Sequence, residues 1–159
     1  MSNGVIWALL GAVIATALAG IGSIKGVGMA TESAMGVLSE DSSKFGKLLV
    51  LVLLPGTQGL YGFIVSVMIL MNIGILGGSF DLSLVKGLLF LTASLPIGIG
   101  GLISSIAQGR AAVSGISLVA KKPNEFSKAM VSTTLVEIYA LLAFLVSLLS
   151  TINIAGMNI

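Results

Sequence analysis

Charged side chains divide this sequence into long apolar blocks. None occurs from Met1 through Ile24, from Leu48 through Phe80, from Gly87 through Gly109, or from Ile138 through Ile159. Runs of roughly 20 apolar residues are long enough to cross a bilayer as helix, so the pattern predicts four transmembrane helices. Helix 1 is expected from about Val5 to Val37, followed by the polar tip Ser39-Glu40-Asp41-Ser42-Ser43. Helix 2 is expected from about Lys44 to Ile75, and a link of Gly77-Gly78-Ser79 with Asp81 turns the chain into helix 3, from about Leu82 to Ala120. A second tip, Lys121-Lys122-Pro123-Asn124, leads into helix 4, from about Glu125 to Ile152, with Asn124 as its expected N-cap. The fold class is an all-α membrane protein: one membrane domain over residues 1–159, built as tandem hairpins at 5–76 and 82–154. Helices 1 and 3 exceed the hydrocarbon thickness at about 1.5 Å per residue, so they project at the tips or tilt.

Composition agrees. The chain has 159 residues, is 56% hydrophobic and 9% charged, and has a mean hydropathy of +1.13. Soluble domains carry about a quarter charged residues, and 9% is too few to cover a water-facing surface. The absence of cysteine excludes disulfides and thiolate metal sites, and the absence of histidine removes the commonest general base. A net charge of +2 with basic residues near helix ends gives no nucleic-acid surface. The N-terminus has neither the basic region nor the cleavage site of a signal peptide, so no removable segment is expected. Lys44, Lys47, Lys121, Lys122 and Lys128 flank the tips, whereas Lys86 is the one basic residue on the opposite side. By the positive-inside rule, a multi-pass cell-membrane protein with cytoplasmic tips and external termini is expected.

The hairpins read as copies. A shift of 81 residues brings Phe45 onto Phe126, Lys47 onto Lys128, Leu54 onto Leu135, Phe63 onto Phe144 and Ser66 onto Ser147. Apolar bias alone does not produce the Lys and Ser matches, which points to duplication. In this register Glu137 falls opposite Gly56, so the pair carries one acidic site instead of two.

Glu137 lies near the middle of helix 4. A charge at helix centre costs about 2.5–3.5 kcal/mol on insertion scales and marks a partner or pathway; the alternative is a protonated carboxyl acting as packing glue. Gln108 and Glu137 are nearly symmetric about Lys122-Pro123, and Lys25 and Gln58 about Asp41-Ser42, so each pair reaches similar depth. Thr57, Gln58 and Tyr61 cluster on helix 2, and Pro55 releases a turn whose carbonyls, near Leu51 to Leu54, are available to a ligand. An oxygen-rich set suits a hard cation. A single carboxylate balances one positive charge, and the extra neutral oxygens favour Na+ over H+, which needs the carboxylate alone. Small residues at four-residue spacing (Gly11, Ala15, Ala19; Gly101, Ser105, Gly109) predict tight helix seams. No G-x-G-x-x-G in a strand-turn-helix setting and no Walker pattern occurs, which excludes nucleotide binding.

The ordered set Leu53-Leu54-Pro55-Gly56-Thr57-Gln58-Gly59-Leu60-Tyr61-Gly62, Ile106-Ala107-Gln108-Gly109-Arg110 and Val136-Glu137-Ile138-Tyr139-Ala140 resembles the proteolipids of V-type ATPases. Within them it is most similar to the subunit K group of bacterial sodium-translocating enzymes. The resemblance runs through the whole chain and implies a homo-oligomeric rotor ring, with helices 1 and 3 inside and helices 2 and 4 outside. It implies a Na+ site at Glu137, Gln108, Gln58, Thr57 and the Leu54 backbone carbonyl, with Tyr61 hydrogen-bonding the carboxylate. It further implies a membrane stator subunit bearing an arginine, central-stalk subunits on the cytoplasmic side, and ATP chemistry in other subunits, so that this chain is not itself an enzyme. Arg110 stands where the nearest relatives are expected to have lysine. An H+-carrying rotor subunit is the alternative within the family, and a stand-alone four-helix transporter outside it. Inverted repeats would favour the transporter, but these hairpins run in parallel.

Overall fold

The computed structural model describes residues 3–75 and 81–157. Among the described residues there are four long apolar helices: helix 1 (Asn3–Glu40), helix 2 (Ser42–Asn72), helix 3 (Leu84–Lys121) and helix 4 (Pro123–Ala155). The Gly77-Gly78-Ser79 link falls outside the described residues.

Each tip is stopped by local chemistry. At the first, the Asp41 carboxylate accepts from the Ser43 amide at 3.0 Å and the Ser43 hydroxyl at 2.6 Å, and Lys44 Nζ stands 3.3 Å away. The Ser43 hydroxyl first, then Lys44, hold this carboxyl below the usual aspartate range. The cap therefore persists at neutral pH and is lost only as pH falls through that lowered value. At the second tip the expected Asn124 cap does not form. Pro123–Glu125 is a turn of 3-10 helix with Lys122 in the capping position and no side-chain cap, which leaves Asn124 inside the turn. Lys44 and Lys47 of helix 2 reach across to the Ala120 and Pro123 carbonyls at 3.0 and 2.9 Å. At the far end Lys86 donates to Ala155 and Met157 at 3.1 and 2.9 Å. The Ala120 and Ala155 carbonyls lie in the last turns of helices 3 and 4, where Lys44 and Lys86 satisfy groups that have no intrahelical partner.

Helices 1 and 3 run parallel in close contact. Going toward the tips, Gly11 meets Leu91, Gly22 meets Leu102, and Gly26 meets Gly109. A methyl on Gly109 would lie 2.5 Å from the Gly26 Cα, closer than any side chain fits. The expected small-residue seams are thus contact lines, and all six of their residues are buried. Helix 2 packs against helix 1 through Gly62, whose Cα face is covered by Ala15 and Ala19. Helix 4 lies on helices 3 and 2 and is the most exposed of the four.

Two apolar clusters fill the bundle. One, toward the chain termini, includes Val5, Val65, Ile69, Phe90, Ile97 and Ile154. The other, toward the tips, includes Leu48, Leu51, Ile116, Val119 and Ala129. The polar residues of the predicted ion site lie in the layer between them, where both outer helices are interrupted. Helix 2 tightens to 3-10 at Leu54–Gly56, and helix 4 breaks at Leu135 and Val136. Leu54 and Leu135, which open these breaks, are related by the 81-residue shift.

Candidate ion-binding site

Pro55 has no amide hydrogen, and helix 2 cannot run through it unbroken. The Leu54 carbonyl is drawn into the tight turn, accepting from the Thr57 amide and, at 3.0 Å, from the Thr57 hydroxyl. The two following carbonyls are secured from the inner helices. Ser105 Oγ on helix 3 donates to the Pro55 carbonyl, and Ser23 Oγ on helix 1 donates to the Gly56 carbonyl at 3.3 Å while accepting from the Gly59 amide at 2.9 Å. Of this turn, it is Leu54 and Thr57 whose oxygens join the polar string described next.

Gln58 and Gln108 are both fully buried, which requires partners for their amides. Gln58 Nε2 donates to Gln108 Oε1 at 2.6 Å, and Gln108 Nε2 donates to the Thr133 carbonyl at 3.3 Å. The Thr57 hydroxyl lies 3.3 Å from Gln58 Oε1. Each amide nitrogen is thereby tied to a fixed acceptor, which defines the oxygen end of each side chain. An amide oxygen has two lone pairs, so each retains capacity for a second electropositive partner.

Glu137 begins the second part of helix 4, directly after the break. It is 9% exposed, and its Oε1 accepts from the Tyr61 hydroxyl at 2.6 Å. Tyr61, free by position to lean either way, is fixed by this bond and by stacking on Phe144 with ring centroids 5.1 Å apart. Among the described residues no hydrogen bond joins Glu137 to either glutamine. Tyr61 stands between the carboxylate and the string of neutral oxygens, interacting with both Glu137 and Thr57, and every buried side-chain polar atom among those residues has a partner.

Two features were not legible in the residue order. The break in helix 4 contains neither proline nor glycine, yet Thr133 and Thr134 donate back to the Ala129 and Met130 carbonyls, each at 2.9 Å. Such back-bonding bends helices, and the pair of threonines was the available signal. In an unbroken helix the Thr133 carbonyl would serve the Glu137 amide; here it takes the Gln108 amide. Ser23 and Ser105, the supports of the helix 2 turn, were also missed as site residues. Lys25 and Arg110 are exposed and border a common groove with Glu32, and among the described residues neither forms an ion pair.

Comparison with known proteins bears on this arrangement directly. The family model for the ATP synthase C-subunit matches twice, over residues 10–69 and again over 91–150. The chain belongs to the ATP synthase C-subunit family. The second match starts at 91 where the first starts at 10, so the family repeat has the 81-residue offset read from the outer helices. The chain is 47% identical to the V-type sodium ATPase subunit K of Enterococcus hirae over 152 residues, covering 96% of this chain and 94% of that protein. It is 38% identical to the A-type ATP synthase subunit K of Methanocaldococcus jannaschii over 154 residues, covering 97% of this chain and 66% of that longer protein. It is therefore a two-repeat proteolipid of the V-type, and has no catalytic role of its own.

Proposed function

We propose that this chain is an ion-carrying rotor subunit that moves Na+ across the membrane on Glu137. One observation carries the reading. A nearly buried carboxylate stands at the depth of an oxygen string whose amide nitrogens are already engaged, so that Gln58, Gln108, Thr57 and the Leu54 carbonyl present oxygen rather than N–H to a cation. Five oxygen donors with a single negative charge suit a hard monovalent ion. The relative from Enterococcus hirae, a sodium ATPase subunit by name, supports Na+ over H+.

Glu137 without a cation is an anion, and facing lipid is unfavourable for it. A bound Na+ neutralises the site, which lets the subunit pass through hydrocarbon as a ring of identical copies turns. Where a stator subunit supplies an arginine, the ion leaves and the carboxylate pairs with the guanidinium in passing. Tyr61 holds Glu137 inward while the ion is aboard. The two hairpins, 5–76 and 82–154, act as one membrane unit with cytoplasmic tips against the central stalk, and ATP is hydrolysed or made in other subunits. Labelling of Glu137 by a hydrophobic carbodiimide tests the ion. Protection by millimolar Na+ at constant pH is expected; labelling that responds to pH and never to Na+ would make the cargo H+.

A further inference from the structure

Helix 2 loses more of its backbone ladder than Pro55 accounts for. Proline has no amide, so the rung from residue 55 to the Leu51 carbonyl is absent in any case. A second rung is missing for another reason. In an unbroken helix the Gly59 amide would serve the Pro55 carbonyl. Here that amide goes to Ser23 Oγ on helix 1 at 2.9 Å, and the carbonyl takes the Ser105 hydroxyl of helix 3. One inner helix holds the donor of the broken rung and the other holds its acceptor, and regular helix resumes at Thr57. We propose that Ser23 and Ser105 are positioning residues for the cation: they hold this rung open, keep Thr57 and Gln58 aimed into the oxygen layer, and so set the affinity for Na+ without setting that for H+. This rests on the Na+ reading above and adds the residues that separate the two ions without touching either.

Both serines are buried, and glycine makes room for them. A Cβ on Gly59 would come 3.1 Å from Ser23 Oγ, and one on Gly26 would come 3.0 Å from Ser105 Oγ and 2.7 Å from the Pro55 ring. The second hairpin shows that an outer helix breaks at this level without such an exchange. By the 81-residue offset the counterpart of Ser23 is Ser104, and that of Ser105 is Ile24. Ser104 donates to Gly101 of its own helix at 3.4 Å, and Ile24 has no hydroxyl. Helix 4 breaks at Leu135 and Val136 all the same. The serine pair therefore acts only on the outer helix that contributes Leu54, Thr57 and Gln58 to the polar layer.

The two ions depend on different groups. Na+ uses the neutral oxygens together with the carboxylate, whereas a proton needs Glu137 alone. Among the described residues neither serine bonds Glu137 or its partner Tyr61. With either hydroxyl removed, the Gly59 amide and the Pro55 carbonyl turn back to each other, because a buried backbone group left unpaired is costly. Helix 2 then closes by one rung, and the neutral oxygens of Thr57 and Gln58 rotate away from the carboxylate.

Carbodiimide labelling of Glu137, in the full chain in its membrane, gives two midpoints: protection by Na+ at constant pH, and dependence on pH with Na+ absent. Ser23→Ala and Ser105→Ala are each expected to need about three- to tenfold more Na+ for half protection, the range of one neutral hydrogen bond, with the pH midpoint unchanged. Both serines serve one rung, so the double variant is expected to lose no more than the weaker single variant. Ser104→Ala is expected to match the unaltered chain in both midpoints. Ser23→Cys and Ser105→Cys, whose thiols donate weakly, are expected to fall between serine and alanine, and each replaces an alanine variant that native mass shows not to assemble. An unchanged Na+ midpoint, a pH midpoint that moves with it, or losses that add in the double variant would overturn the role of the serines and leave the Na+ reading. No protection by Na+ in the unaltered chain would overturn both.

Discussion

Glu137 on helix 4 and Tyr61 on helix 2 share one hydrogen bond, in which the carboxyl oxygen accepts from a phenol whose ring is stacked on Phe144. Tyr61→Phe keeps the ring and removes the hydroxyl. A hydrogen bond to a charged group contributes about 1.5–3 kcal/mol, so half-maximal Na+ protection of Glu137 should need roughly ten- to a hundredfold more Na+. The same labelling assay measures it, and an unchanged protection curve would remove Tyr61 from the site. Glutamine was legible in sequence because a buried amide in an apolar chain demands partners. The Thr133 carbonyl was not, since every residue has one and only the path of the backbone decides which are turned inward.

The two interrupted helices carry the site, and they are interrupted for different reasons. In helix 2 the cause is Pro55, visible in the sequence. Pro55→Ala restores an amide to the turn, allows helix 2 to close through Leu54–Gly56, and draws the Leu54 carbonyl back into the helix. Na+ affinity is expected to fall about tenfold, the loss of roughly 1.4 kcal/mol that one neutral oxygen ligand contributes, with assembly by native mass unchanged. An affinity equal to that of the unaltered chain would exclude the Leu54 carbonyl as a ligand. The helix count, the duplication and the depth of the polar layer were all readable, because hydropathy and spacing are written directly in the residue order. The helix 4 break and the Asn124 capping position were not, because back-bonding threonines and a 3-10 turn compete locally with signals that point to regular helix.

At the scale of the whole molecule, helices 1 and 3 form the spine against which the outer helices set the site. Gly26 and Gly109 bring their backbones together beside Ser105, the residue that secures the helix 2 turn. Gly109→Ala is expected to destabilise the folded chain by about 1–3 kcal/mol through overpacking, seen as a lower melting temperature in detergent. Gly46→Ala, at an open position, is expected to leave it unchanged. Equal melting of the two variants would refute the close approach. The central claim is that one Na+ occupies each chain at Glu137. Equilibrium binding of radioactive Na+ to the purified, unlabelled protein should saturate at one ion per chain, compete with protons, and vanish in Glu137→Gln while that variant still assembles. Saturable binding that survives Glu137→Gln, or no binding by the unaltered chain, would contradict it.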